Sequence, residues 1–305
     1  MKLLIFLFVF SSCSHIGFIS NHNETESIRI EGETTESFHY EMQTIEIFNG
    51  KVKYIEFPVD VNDGTYNISC SEQNFTKPKE QNYEILVEGK KAFFYYSESY
   101  FSQAKKHLCK FKGHQVLEVL VKQYPYKEES LNVPKGKVTL SKKDLDRVIR
   151  ERKITEELYA NSAPTMYINA PFVKPLKSFI TSRYGKRRLF NNKKRSQHLG
   201  NDFRAGVGVP IPTSNRGKVI FAGNLFYTGN VVIIDHGLNV FTFYGHLSKI
   251  MTNVGDIVNQ GDIIGLAGKT GRVSGPHLHW GVKINGENVD GFSLVTESKK
   301  QFSEL

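Results

Sequence analysis

Cysteine is scarce in this sequence. There are three in 305 residues, at Cys13, Cys70 and Cys109. None follows position 109, so a closed, thiol-rich structural metal site is excluded from the C-terminal half. Long apolar runs are missing too. After the first ten residues nothing approaches the roughly 18 to 20 apolar residues that a membrane-spanning helix needs. No internal repeat is long enough for a solenoid. Acidic residues are absent from one long segment, Pro171 to Gln197, which holds nine of the Lys and Arg residues. Much of the net charge of +9 therefore has one address. A basic run can mean nucleic acid, but on an exported chain an anionic envelope polymer or membrane surface is the better partner, and a solvated basic loop is the plain alternative.

Export is what the N-terminus implies. "MKLLIFLFVF" places Lys2 before eight apolar residues, and "SSC" follows. A basic start, a short apolar stretch and small residues read as a signal peptide over 1–13. "FSSC" resembles a bacterial lipobox, which would make Cys13 a lipidated first residue and anchor the chain to a membrane. Phe10 stands where Leu is usual. With Cys13 used or removed, Cys70 and Cys109 remain, and in an exported chain their simplest state is a disulfide. It would close a loop of about 40 residues, worth about 3 to 4 kcal/mol on the chain-entropy model. Two buried free thiols are the alternative. The expected location is the periplasm or cell envelope.

The rest divides by pattern. Residues 14–37 are polar and periodless and read as a flexible tether. "KVKYIEFPV", "NYEILVEG", "KAFFYYSES" and "VLEVLVKQY" read as strands bounded by "NDGT", "EGKK" and "FKGH". They predict a small antiparallel β domain over 38–125, sandwich-like and holding the cysteine pair. Residues 126–167 form a linker with a helix over about 142–160. Ser141 and Asp144 stand at capping-box spacing, Leu145, Val148 and Ile149 begin an apolar stripe that Ile154 and Leu158 extend, and Pro164 ends the segment. From 168 to 295 the chain is again β-rich and glycine-punctuated, and 296–305 reads as a tail. The expected fold class is mainly β.

Five of the ten histidines lie between 198 and 279. "HLGND" places His198 four residues before Asp202, a weak signal alone. "HLH" places His277 and His279 on one face of a strand, with Cα atoms about 6.5 to 7 Å apart, where a metal ion could accept one or both. A hydrogen-bonded pair of strand histidines is the plain reading of the tripeptide. "FYGHLS" puts His246 at the end of an apolar strand. Three nitrogen or oxygen ligands and an open position are what a hydrolytic zinc site needs, and spare histidines could serve as acid–base groups beside it.

The joint pattern is specific. "SRYGKRR", "SQHLGNDF", "GVPI" before "GKVIFAG", "GNVVIIDHG", "YGHLS", "VGDIVNQGDIIGLAGKTG" and "GPHLHWGV" occur in that order. The region from about 168 to 292 resembles the lysostaphin/LytM-type zinc metallopeptidases, bacterial peptidoglycan endopeptidases with an antiparallel β-sheet catalytic domain. The resemblance implies one Zn2+ held by His198, Asp202 and His279, with His246 and His277 as catalytic histidines that do not bind the metal. It implies peptidoglycan as substrate and partner, and no nucleic acid. His236 matches a turn position that is not a ligand and is kept structural. Tyr184 and Tyr244 are candidates for the substrate groove, with plain packing as the alternative. Two departures stand out: Asn201 where the family usually has Ile or Val, and "VDGFSLV" in place of the usual "VDP".

Two rival readings belong to other classes. Some relatives of this type have lost ligands and act as activators of wall hydrolases, whereas here all five positions are filled. "VGDIVNQGDIIG" also resembles biotinyl or lipoyl carrier domains, but Lys269 lacks their flanking motif.

Overall fold

Alternation builds the first sheet. Along Glu80–Glu88 the residues Tyr83, Ile85 and Val87 are buried while their neighbours are not, the pattern of a strand with one face on a core. The computed structural model describes residues 38–73, 80–131, 140–190 and 194–303. The expected signal peptide over 1–13, the expected tether over 14–37 and Cys13 lie outside the described residues. Phe38–Leu305 forms one compact unit, mainly β with two helices among the described residues. None of these helices is long and apolar enough to cross a membrane.

The first sheet comprises β1 (Gln43–Phe48), β2 (Val52–Pro58), β3 (Gly64–Glu72), β4 (Glu80–Glu88), β5 (Lys91–Ser97), β6 (Lys105–Phe111) and β7 (His114–Lys122). Their spatial order is β1-β7-β6-β3-β4-β5-β2. It is a single sheet rather than the two of a sandwich, and β1 runs parallel to β7 while the other pairs are antiparallel. The edge strands β1 and β2 are consecutive in the chain, so the sheet curls until its edges meet. Gln43 Nε2 donates to the Glu56 carbonyl across them, 2.9 Å. Curling lets every strand contribute to one core, including Ile47, Ile55, Ile68, Ile85, Phe94 and Val119. Cys70 and Cys109 lie directly opposite on β3 and β6 and form a disulfide.

Next come β8 (Glu128–Leu131) and α1 (Lys142–Ala160). The Ser141 side chain caps α1 by accepting from the Asp144 N–H. The apolar stripe expected to seat this helix is half exposed: Leu145 47%, Ile149 47% and Ile154 49%. Polar and aromatic contacts hold the helix instead, with the Tyr159 ring edge-on to Phe241 at 5.1 Å. Glu151 accepts from the Phe226 N–H at 2.7 Å, and Arg147 donates to Asn224 at 2.9 Å.

The remaining strands are β9 (Ile180–Ser182), β10 (Arg187–Phe190), β11 (Lys194–Gln197), β12 (Asn201–Arg204), β13 (Pro210–Pro212), β14 (Gly217–Leu225), β15 (Gly229–Asp235), β16 (Val240–Leu247), β17 (Lys249–Ile250), β18 (Ile257–Val258), β19 (Ile263–Leu266), β20 (His277–Ile284) and β21 (Glu287–Val289). The main sheet runs β18-β14-β15-β16-β20-β12-β9, with β21 added beside β20. Small sheets β11-β10-β8 and β13-β19-β17 flank it.

The chain ends in α2 (Gly291–Gln301), capped by Asp290, where the sequence reads as the end of one domain and a tail. Gly291 at the first helical position hides the helix from a propensity reading. It is small because the Trp280 ring lies against it.

Helix α2 also binds the two halves together. Lys51 pairs with Asp290 at 2.6 Å, the Val52 N–H donates to Ser293, and Tyr95 donates to Gln301. Val52 and Tyr95, from the first sheet, belong to the same core as Trp280 and Leu294. A second seam is aromatic: Tyr100 and Tyr126 pack on Tyr184. Gly50 and Gly185 both have positive φ, and a Cβ at either would run into the Tyr126 side chain.

Candidate metal centre

The pleat of two neighbouring strands assembles the site. In β12, Asn201 and Phe203 are buried at 1% and 0% exposure, which turns Asp202 to the other face. In β20, Leu278 and Trp280 are fully buried, which turns His277 and His279 the same way. The register sets Asp202 opposite His279. His198, just before β12, completes the group.

The donor atoms converge on one point. Asp202 Oδ1 lies 2.9 Å from His198 Nε2 and 2.7 Å from His279 Nδ1, and the two nitrogens are 3.2 Å apart. Among the described residues these three form the His/Cys/Asp/Glu group able to hold a metal ion. Tetrahedral zinc with bonds of about 2.0 to 2.1 Å sets its donors roughly 3.3 Å apart, close to this spacing. Two imidazoles and one carboxylate are also a donor set zinc accepts. His198 Nδ1 is 3.0 Å from the Arg183 carbonyl and 3.2 Å from Ser182 Oγ. An N–H donated to that carbonyl leaves Nε2 with its lone pair toward the centre. Burial alone would raise the Asp202 carboxyl, but the close His198 and His279 imidazoles outweigh it and hold it well below the usual carboxylate range. Burial also lowers the His279 imidazole. Gly200 leaves room for the His279 ring: a Cβ there would sit 2.6 Å from Cε1 and 2.7 Å from Nε2.

The other two histidines stand beside the group. The His246 and His277 rings are 4.7 Å apart. His246 Nδ1 is 2.9 Å from the Thr270 carbonyl, and His277 Nδ1 is 2.9 Å from the Gly275 carbonyl. His246 reaches the site through a β-bulge. Val232 faces Tyr244 and Asn230 faces Leu247, so β16 carries one extra residue over that interval. His246 has φ +63° there, uncommon for a residue with a side chain. Burial pushes its imidazole down to about 4.

Residues 196–291 match the family model described as peptidase family M23. The chain carries an M23 peptidase domain. Over 112 residues it is 45% identical to the peptidoglycan DD-endopeptidase ShyA of Vibrio cholerae, covering 36% of this chain and 26% of ShyA. Over 189 residues it is 30% identical to the peptidoglycan DD-endopeptidase ShyB of the same species, covering 61% of this chain and 44% of ShyB. The chain thus spans less than half the length of either relative. A Pseudomonas aeruginosa crystal structure, described as a candidate M23 peptidase, superposes with a TM-score of 0.60 at 24% identity. It covers 82% of this chain and 95% of that one, so the shared fold extends well beyond the M23 domain.

Two groove candidates are corrected by burial. Tyr244 is fully buried beneath the M23 sheet, and its hydroxyl accepts from the Ser214 N–H at 2.8 Å. The pleat turns it to the core, one residue before the bulge. Tyr184 is covered by Tyr100 and Tyr126 and donates to the Asn288 carbonyl at 2.7 Å. Neither ring is available to a substrate. Three cations of the basic run are also occupied by the protein: Arg187 donates to the Tyr100 hydroxyl, and Lys174 and Arg183 flank the Phe292 ring. His236 is buried, bonded to the Arg216 carbonyl and Thr242, and is not part of the metal group.

Sequence reasoning passed over the supporting groups. Ser182 and the carbonyls of Arg183, Thr270 and Gly275 orient three of the histidines, and main-chain carbonyls leave no trace in side-chain spacing. Asn201 did carry a signal, as a polar residue where the family is apolar. It is buried in β12 itself, next to the Asp202 ligand, accepts from the Tyr184 N–H and donates to Asp290, each at 3.1 Å.

Proposed function

We propose that this chain is a zinc-dependent endopeptidase that hydrolyses peptide stems or cross-links of bacterial peptidoglycan. The convergence of His198, Asp202 and His279 within hydrogen-bond distance of one another, with two further histidines alongside, carries this reading. The names of ShyA and ShyB support a bond in the DD cross-links. The exported, cell-envelope location expected of the sequence is where such a substrate lies.

His198 Nε2, Asp202 Oδ1 and His279 Nδ1 would hold one Zn2+. When bound, zinc polarises the scissile carbonyl and makes water acidic enough to attack near neutral pH. The protein's own groups move the protons. With Nδ1–H donated to a carbonyl, His246 and His277 each keep a lone pair at Nε2. A histidine lowered to about 4 is neutral at pH 7 and able to accept a proton from water. The pair would take that proton and return one to the leaving amine. His277 is the more exposed of the two.

The test is to incubate the purified full chain with peptidoglycan sacculi, with and without a chelator and with zinc restored. Released muropeptides are identified by mass spectrometry. Loss of cross-linked dimers that depends on zinc is expected. Unchanged muropeptides with the zinc-loaded protein would remove this reading.

A further inference from the structure

The site face of β12 and β20 does not end at the metal group. The register that sets Asp202 opposite His279 sets Arg204 opposite His277. Phe203 between them is fully buried, so Asp202 and Arg204 share a face. Their Cα atoms are about 6.5 to 7 Å apart along the strand, roughly two residues of an extended peptide. Arg204 is exposed. Its guanidinium lies over the Phe179 ring, 5.4 Å from the centroid, and its main-chain N–H donates to the Phe179 carbonyl at 2.8 Å. Phe179 is itself 68% exposed, a large aromatic left on the surface beside the site. Among the described residues no carboxylate is paired with Arg204, whereas Asp202 in the same row is saturated by histidines.

We infer that Arg204, seated on Phe179, is a carboxylate-binding subsite of the metal cleft, selecting peptides that carry a free carboxylate one or two residues from the scissile bond. A planar, permanently charged guanidinium matches a carboxylate with two parallel hydrogen bonds. The aromatic platform holds the fork in one orientation, so less side-chain freedom is lost on binding. The two sources of that chemistry are a terminal carboxylate and a side-chain carboxylate. The inference rests on the endopeptidase reading.

The experiment uses the full zinc-loaded chain and three versions of one cross-linked peptide: free acid, terminal amide and side-chain amide. The wild type is expected to favour the free acid by about ten-fold in kcat/KM, mainly through KM. The amide that abolishes the preference identifies the carboxylate bound. In Arg204→Gln the preference falls to about one with zinc content equal to wild type, and Arg204→Lys, which keeps charge without the fork, retains part of it. Equal cleavage of all three peptides by the wild type, or a preference that survives in Arg204→Gln, would overturn the subsite. Calorimetric binding of the same peptides separates the two levels. If the wild type cuts none of them, the endopeptidase reading falls. Preferential binding of the acid that is lost in Arg204→Gln would then still support the subsite, and equal binding would overturn it.

Discussion

Asp202 Oδ1 lies 2.7 Å from His279 Nδ1 and 3.7 Å from His277 Nε2. Two histidines on the same face of one strand therefore differ by an ångström in their approach to the same oxygen. One lies within the donor cluster and the other stands just outside it. The difference makes their substitutions separable. His279→Ala is expected to lose bound zinc. His277→Ala is expected to keep it and to lose roughly a hundred-fold or more in turnover. Zinc measured by mass spectrometry alongside muropeptide release checks both.

Gly200 is predicted to be intolerant of a methyl group. In Gly200→Ala the new Cβ would meet the His279 ring at 2.6 Å and the Trp280 carbonyl at 2.9 Å. The ring must turn, because the carbonyl belongs to a paired strand. Zinc affinity is expected to fall roughly 10- to 100-fold, as when support of a ligand is lost. Competition with a chromophoric chelator measures it.

The first sheet and the M23 domain are expected to fold as one unit. A fragment of residues 165–305 would expose the face of α2 that meets Val52 and Tyr95, and the Tyr184 ring. It should therefore be less stable than the full chain and melt over a broader range. A sharp, unchanged thermal transition in the fragment would contradict this. Asp290→Ala tests the same seam within the intact chain. It removes the cap of α2, the pairing with Lys51 and the bond from Asn201. A loss of about 2 kcal/mol is expected in urea unfolding.

Acid should weaken the fold through His236. Burial pushes its imidazole down to about 4 from an ordinary value of 6.5. The unfolded chain therefore binds the proton more readily, and stability falls as pH drops from about 6.5 towards 4. Between about pH 7.5 and pH 5 this one group contributes about 2 kcal/mol of loss. Urea midpoints at the two pH values, compared with those of His236→Gln, check it. The variant should show the smaller dependence on pH.

Asn201 shows where the sequence was legible and where it stopped. Its departure from the family pattern, a polar residue where Ile or Val is usual, marked it. That it ties the ligand strand to Asp290, and through Asp290 to Lys51, required knowing that α2 returns to the first sheet. Contacts spanning 239 positions, such as Lys51 to Asp290, leave no local pattern. The same reason hid the fate of Tyr184: its cover is Tyr100 and Tyr126, supplied by another part of the chain.

By itself the sequence determined the mainly β class, the capped helix at Ser141 and the residues that could form a metal group. The first two are written in short-range chemistry, period-two alternation and a cap three residues from its N–H, and the third is what the ordered motifs imply through their resemblance to the zinc metallopeptidases. Tertiary structure alone decided which rows of the two strands face each other, and hence that Arg204 stands beside His277. It also decided His246. Strict alternation from the buried Tyr244 would send His246 into the core, two positions on. One extra residue in β16, taken up in a left-handed backbone, turns its imidazole to the site instead.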